Sequence, residues 1–310
     1  MTHDGPPNRR FRRAFYNWDG SEAPWRLNPT SDLRELVAFA KYPFAALSPR
    51  HSTQRFQFSQ RGKPHFVEAA PLHPDIGLAT VADLDIMVVV ASYLTWCHDR
   101  DGVPYDGTVT FRPATLLDAL GKSTGGEQHR NLHAALARLT NTQITTSLSA
   151  PGCIEFRLLN AVHTSDTGEL MLTIDPWLWR EVQAERIAKI DPVALTLRGL
   201  ERRLYSWARA HLGAQRNDWR LSVPRARAKA ASVDALRKFR SRLAAIAARN
   251  RLPHFRVTLE RDGQNTNLVL SRRVPVTAAP TTIHLPSFDV HTLAAQTETV
   301  CVPTTFSEDD

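Results

Sequence analysis

Two stretches of this chain run through the same order of elements: an apolar helix, a short strand, a short helix opened by proline, a longer helix with one apolar stripe, and then paired strands. That repeated order constrains the fold more than any single motif. In the first stretch, the alternation Arg55-Phe56-Gln57-Phe58-Ser59-Gln60 predicts a strand, with His65-Phe66-Val67-Glu68 as its partner across Gly62-Lys63. Thr80-Val81-Ala82-Asp83 reads as a capping box, and the helix it opens runs to about Cys97 with a centre so apolar that it must be buried. Residues 108–111 form a short strand, and Pro113 opens a short helix that ends at Gly121. Thr124-Gly125-Gly126-Glu127 reads as a second capping box, followed by Leu132, Ala135, Leu136 and Leu139 on one helical face. Residues 143–148, 154–159 and 170–174 read as strands.

The second stretch repeats the pattern. Leu197, Leu200, Leu204, Trp207 or Ala208, and Leu212 share one helical face, closed by Gly213. Residues 219–223 are a short strand, and Pro224 opens a short helix to about Ala231. Ser232 is the expected cap of the next helix, over 233–250, with Val233, Leu236, Phe239, Leu243 and Ile246 as its buried stripe. Residues 255–259 and 267–270 are strands joined by a turn at Arg261-Asp262-Gly263. This is the order of a winged helix-turn-helix, a fold whose third helix lies in the DNA major groove. The expected fold class is therefore α+β: two tandem winged-helix domains, residues 41–187 and 188–273. They lie between a flexible N-terminal arm (1–40, with one short helix over 32–40) and an extended, Pro- and Thr-rich C-terminal tail (274–310).

Charge singles out the second module. Residues 188–273 hold 20 Lys and Arg against 6 Asp and Glu, whereas residues 1–187 are nearly neutral and the tail has 5 acids and no base. One basic module on a neutral body is the layout of a protein that meets a polyanion with one part of itself, and nucleic acid is the first such polyanion to consider. A merely solvated helix face interleaves acids with bases, but Asp234 is the only acid from Arg220 to Leu259. Arg225, Arg227 and Lys229 on the short helix, and Arg237, Lys238, Arg240 and Arg242 on the long one, are therefore expected to project outward as DNA-binding residues. Arginine can fork onto guanine O6 and N7, while lysine mostly holds phosphate. Arg237, Lys238 and Arg240, near the helix N-terminus, are the expected base readers, and the others position the DNA backbone.

The remaining sites are weaker. Gly121-Lys122-Ser123-Thr124 ends like a phosphate-binding loop, but the glycine needed five residues earlier is Leu116, inside a helix. Read instead as a turn before a helix, the segment leaves Lys122 and Arg130, with Gln128, placed to touch a DNA phosphate at that helix N-terminus. His129 and His133 have a zinc-binding spacing, yet no glutamate follows His129 and no third ligand is evident. No metal and no cofactor are expected. Strand-nicking enzymes pair a His-x-His site with a nucleophilic tyrosine; the chain has no His-x-His, Tyr205 is better placed to pack, and Asp83 and Asp85 have no glutamate or histidine partner at an obvious spacing. A non-enzyme is expected. Cys97, Cys153 and Cys301 fit neither a disulfide framework nor a zinc site, the longest apolar run is too short to span a bilayer, and Arg9, Arg10, Arg12 and Arg13 precede no apolar signal segment. These point to a cytoplasmic protein with no membrane partner.

Several segments also resemble one family in that family's own order. Ile76-Gly77-Leu78-Ala79-Thr80-Val81-Ala82-Asp83-Leu84-Asp85-Ile86 is similar to the GLAT-x-x-D-x-DI segment of RepA-type plasmid replication initiators. Thr124-Gly125-Gly126, with Leu132-His133-Ala134-Ala135-Leu136-Ala137-Arg138-Leu139, resembles their TGG … L-x-x-AL-x-RL segment. Trp177-Leu178-Trp179 and Leu200-Glu201-Arg202-Arg203-Leu204-Tyr205-Ser206-Trp207-Ala208-Arg209 resemble their W-L and LERRLYELAR segments. The bases from Arg225 to Arg242 match no family motif. The resemblance implies two winged-helix domains that bind repeated double-stranded DNA sites (iterons) at a plasmid origin. It also implies help in opening an AT-rich segment and recruitment of the host replication initiator and helicase. It further implies a homodimer that represses its own gene and a monomer that initiates. Apart from the resemblance, a winged-helix transcription regulator or autorepressor without a replication role fits the same residues.

Overall fold

A computed structural model describes residues 33–49, 55–59, 65–101, 107–148, 152–212 and 217–273. The expected arm up to residue 32, the tail from 274, the Gly62-Lys63 turn and the Gly213 helix end lie outside the described residues. The chain is a mixture of helix and sheet with two hydrophobic cores inside one compact unit.

In chain order the described elements are β1 (Arg34–Leu36), α1 (Val37–Lys41), β2 (Phe56–Ser59), β3 (Phe66–Pro71), α2 (Leu84–Asp101), β4 (Thr108–Phe111), α3 (Pro113–Ala119), α4 (Gly126–Asn141), β5 (Thr142–Thr146), β6 (Ile154–Arg157), β7 (Ala161–Thr164), β8 (Leu170–Thr173), α5 (Pro176–Gln183) and β9 (Ile187–Lys189). A 3-10 turn (Pro192–Thr196) then leads to α6 (Gly199–His211), β10 (Asp218–Ser222), α7 (Val223–Lys229), α8 (Leu236–Arg249), β11 (Phe255–Asp262) and β12 (Asn265–Arg272). Residues 33–40, expected at the end of an arm, belong to the body. β1 pairs antiparallel with β9, and Leu33, Leu36, Phe39 and Ala40 are buried.

The repeat read from the sequence is present in the topology. β4-α3-α4 is followed by β7 and β8, and β10-α7-α8 by β11 and β12. In each case the strand before the helices pairs antiparallel with the last strand, giving sheet orders β4-β8-β7 and β10-β12-β11. The first copy differs by an insertion: β5 and β6 leave this small sheet and join β2 and β3 in a four-stranded sheet.

The turns between the paired helices match bond for bond. Gly121 N–H donates to the Asp118 carbonyl and Lys122 N–H to that of Leu117, both at 2.8 Å; Ala231 N–H donates to Ala228 (2.9 Å) and Ser232 N–H to Arg227 (3.1 Å). Such a helix end places its last residue in the left-handed region. Gly121 meets that demand at φ +65°, and Ala231 meets it at φ +50° despite its Cβ. The helices that follow present the same buried spacing, Leu132, Leu136 and Leu139 on α4 and Phe239, Leu243 and Ile246 on α8.

Three local expectations change. The Thr80 box closes only in part: Asp83 accepts the Thr80 N–H at 2.7 Å, but the Thr80 hydroxyl donates to the same carboxylate at 3.0 Å and caps nothing. No capping side chain opens α4, which starts from Gly125. α8 begins at Leu236, later than expected. Ser232 Oγ accepts the Asp234 N–H at 3.4 Å in a preceding turn, and Val233 is exposed, off the buried stripe.

Candidate nucleic-acid interface

α8 owes its orientation to its stripe. Phe239, Leu243 and Ile246 point into the second core with α6, α7 and the β10-β12-β11 sheet, so the opposite face must be solvent-exposed. That face carries Arg237, Lys238, Arg240 and Ser241 in the first turns and Ala244 further along, all exposed. The left-handed Asn250 (φ +46°) ends the helix, and its side-chain oxygen accepts the Val257 N–H at 3.2 Å, fixing the first strand of the hairpin to it.

The candidate bases fall into different states. Arg225, Arg237 and Arg240 are exposed and make no ion pair or hydrogen bond among the described residues. Lys238 and Arg242 converge on Asp234, at 3.1 and 2.5 Å. Burial pushes the Asp234 carboxyl upward, but hydrogen bonds from Arg242 and Lys238 prevail and hold it below the usual carboxylate range. The lone acid of this segment thus organises two of its bases. Arg227 is half-buried, with an Nε that has no hydrogen-bond partner.

Lys229 is a correction. It does not project outward but is only 8% exposed. On α7 it lies beside the inward positions Val223, Ala226 and Ala230, whose small side chains leave room for its stem. Its ammonium donates to the Lys41 carbonyl and sits 5.5–5.9 Å from the ring centres of Phe58, Tyr42, Trp207 and Trp219. Burial, with Arg203, Lys41 and Arg225 nearby, lowers its pKa to about 7. The rings come from both sides of the seam between the two cores, so Lys229 is buried at that seam and does not project outward.

The sequence reading did not single out Arg256 and Arg261 on β11, which are exposed and without an ion-pair partner among the described residues. A signal was available: Arg256 lies between the buried Phe255 and Val257, so strand alternation turns it outward. In the first half, Arg130 is exposed on the first turns of α4 and Lys122 is half-buried in the turn. His133 is exposed and His129 half-buried on α4.

Asp83 and Asp85 are both engaged by arginines. Arg138 grips Asp83 with two hydrogen bonds of 2.8 Å. Arg202, 2% exposed, reaches Asp85 at 3.1 Å and Glu35 at 3.0 Å, and donates to Ser206 at 2.6 Å. Burial raises the Asp85 pKa to about 6 against the opposing pull of Arg202. Arg203 is buried too, donating to the Ala45 carbonyl at 2.8 Å, and desolvation lowers its pKa to about 10. Tyr205 is fully buried, with its hydroxyl accepting the Asp191 N–H at 2.8 Å. The segments that carry the family resemblance are therefore joined to one another: the two aspartates of the first pair with an arginine of the second and an arginine of the last.

The family model described as Replication initiator protein A matches residues 34–257. A Wigglesworthia glossinidia brevipalpis protein named "Putative replication protein" is 23% identical over 193 residues, covering 58% of this chain and 70% of that protein. Among solved structures, domains 2 and 3 of RctB, as selenomethionine derivatives, match with a TM-score of 0.56 at 17% identity, over 77% of this chain and 98% of that one. A second crystal structure of RctB domains 2–3 gives a TM-score of 0.51 at 16% identity, over 77% and 97%. At such identities the two RctB structures speak for a shared fold. Among the described residues, no helix is long and apolar enough to cross a membrane.

Proposed function

This chain belongs to the Replication initiator protein A family, and from that premise we propose that it initiates replication by binding repeated double-stranded DNA sites at a plasmid origin. The two β-helix-helix-hairpin units are read as tandem winged helices, with α8 as the recognition helix of the second. The observation that carries this reading is the outer face of α8. Arg237 and Arg240 stand exposed with no carboxylate to hold them, opposite a stripe that fixes the helix to the core. Free guanidinium groups on a rigid helix are suited to fork onto guanine edges in the major groove. Lys238 and Arg242, tethered by Asp234, and the exposed Arg225 of α7 are suited to phosphates. Arg256 and Arg261 on the hairpin add exposed cations to the same module.

In this reading the protein acts by binding and not by catalysis. Bound at successive repeats, it helps open the adjacent duplex and brings in the host initiator and helicase, and a dimer of the same chain represses its own gene. Footprinting of the full chain on DNA flanking its gene tests the proposal. Protections repeating at intervals of one or two helical turns are expected. Uniform coating that vanishes with salt would mean charge attraction without site recognition, and the proposal would fail.

A further inference from the structure

A cavity of about 240 Å³ opens beside the first helix-turn-helix, between the start of α2, the end of α3 and the flank of α4. Its walls include two carboxylates and three cations: Asp83, Asp85, Lys122, Arg138 and Arg198. The acids are already engaged. Asp83 is held bidentately by Arg138, and Asp85 by Arg202 from behind. Lys122 and Arg198 are not. Neither has a carboxylate within ion-pair distance among the described residues, and the one hydrogen bond of Arg198 runs to the Leu195 carbonyl at 3.3 Å. The two repel each other: burial first, then Arg198, lowers the pKa of Lys122, with only Asp85 opposing. Two like charges lining one cavity, neither held in an ion pair and both acted on by Asp85 only from a distance, are stabilised by an anion between them. Gln128 and Asn131 add amide donors, and Leu117, Leu120 and Leu132 supply an apolar wall.

We infer that this cavity binds a phosphate group between Lys122 and Arg198, carried either by a small phosphate ester or by the DNA backbone. An organic phosphate suits the walls better than the bare ion, because the leucines have nothing to bury against inorganic phosphate. The site does not rest on α8 reading DNA, since none of its residues belongs to that helix.

The test uses the full chain, with inorganic phosphate and phenyl phosphate as probes in calorimetric titration and a duplex DNA in a salt series. A free-ester site is expected to bind phenyl phosphate more tightly than phosphate, and the double variant Lys122→Met/Arg198→Met to weaken it about tenfold or more. Both side chains reach solvent, so the variant is expected to fold; each single variant repeats the measurement with one charge retained. If the cavity instead holds a DNA phosphate, free esters do not bind, and the double variant flattens the dependence of log affinity on log salt by about 0.9. A double variant that matches the wild type in ester binding and in salt slope overturns the inference. Arg237→Ala separates the two readings: it is directed at DNA recognition by α8 and leaves the cavity cations in place.

Discussion

The two helix-turn-helix units share a frame and differ in what they display. Their turns use the same hydrogen bonds, and their long helices bury the same spacing. Where the second exposes Arg237, Lys238, Arg240, Ser241 and Ala244, the equivalent positions of the first, counted from the buried stripe, expose Arg130, Asn131, His133, Ala134 and Ala137. Packing fixes the frame and leaves these outer positions free, so one scaffold carries a strongly cationic surface in one copy and a nearly neutral one in the other. The excess of exposed positive charge lies in the second unit. Arg202 of α6 ties the halves together by gripping Asp85 and Glu35 of the first, and the cavity beside α3 and α4 is lined by Lys122 with Arg198 from the segment before α6.

The largest effect is expected where the halves meet. Arg202→Met leaves Glu35 and Asp85 buried without their common counter-charge, and such a loss costs about 3–5 kcal/mol. Urea unfolding followed by circular dichroism should show one transition at much lower denaturant for the whole described body. Loss of one half while the other keeps its midpoint would show that the two cores are independent and that the seam matters little.

Lys229→Met should act in the opposite direction. The folded lysine has a pKa near 7 against an ordinary value of 10.5, so between these the unfolded chain binds a proton that the folded chain does not. Stability contributed by this residue therefore rises as pH climbs from about 7 toward 10.5, and the penalty of the buried ammonium is complete below about 7. Methionine fills the channel without that penalty and should be more stable at neutral pH by ~1–4 kcal/mol. The gap between variant and wild type should close as pH approaches 10. A variant less stable at every pH would mean that the four rings hold the ammonium more strongly than burial disfavours it.

On DNA, Arg237→Ala and Arg240→Ala should each cost about 1–3 kcal/mol at the cognate site and relax its sequence preference. Arg130→Ala, on the neutral copy, should cost less and lower all sequences alike. Competition binding against single-base variants of the site separates these outcomes. Equal losses from Arg130 and Arg237, with preference intact, would erase the proposed division between the units.

The repeat was legible because it is written in local signals: proline at helix starts, stripes at helical spacing, and a glycine or its substitute at the turn. The β5–β6 insertion was visible only as strands, because their pairing with β2 and β3 is long-range and leaves no local trace. Lys229 was misplaced for a related reason. Charge made it look external, while the helical period beside Val223, Ala226 and Ala230 put it inside, and the rings that receive it lie in β2, β10, α6 and the segment after α1. The motif residues Asp83, Asp85, Arg138 and Arg202 were found as a resemblance, but their pairing needed the fold. The outer arginines of α8 were the easiest to place, since a charged residue off the stripe has nowhere else to go.

The smallest effect concerns the turn that the two units share. A left-handed backbone costs an L-residue with a Cβ about 1–2 kcal/mol, and glycine avoids that cost but loses ~0.5–1 kcal/mol more chain entropy on folding. Gly121 has open space where a Cβ would stand, so Gly121→Ala tests the backbone alone and should destabilise by about 1 kcal/mol. Ala231→Gly is the reciprocal change and should stabilise by ~0.5–1 kcal/mol, the methyl being only partly buried. Opposite signs in thermal or urea unfolding would show that the two turns are the same structure with a different residue at one position. The same sign for both would mean that the Ala231 methyl earns its place by packing, and that the second turn, on the side of the basic helix, is held by its surroundings and not by its own backbone.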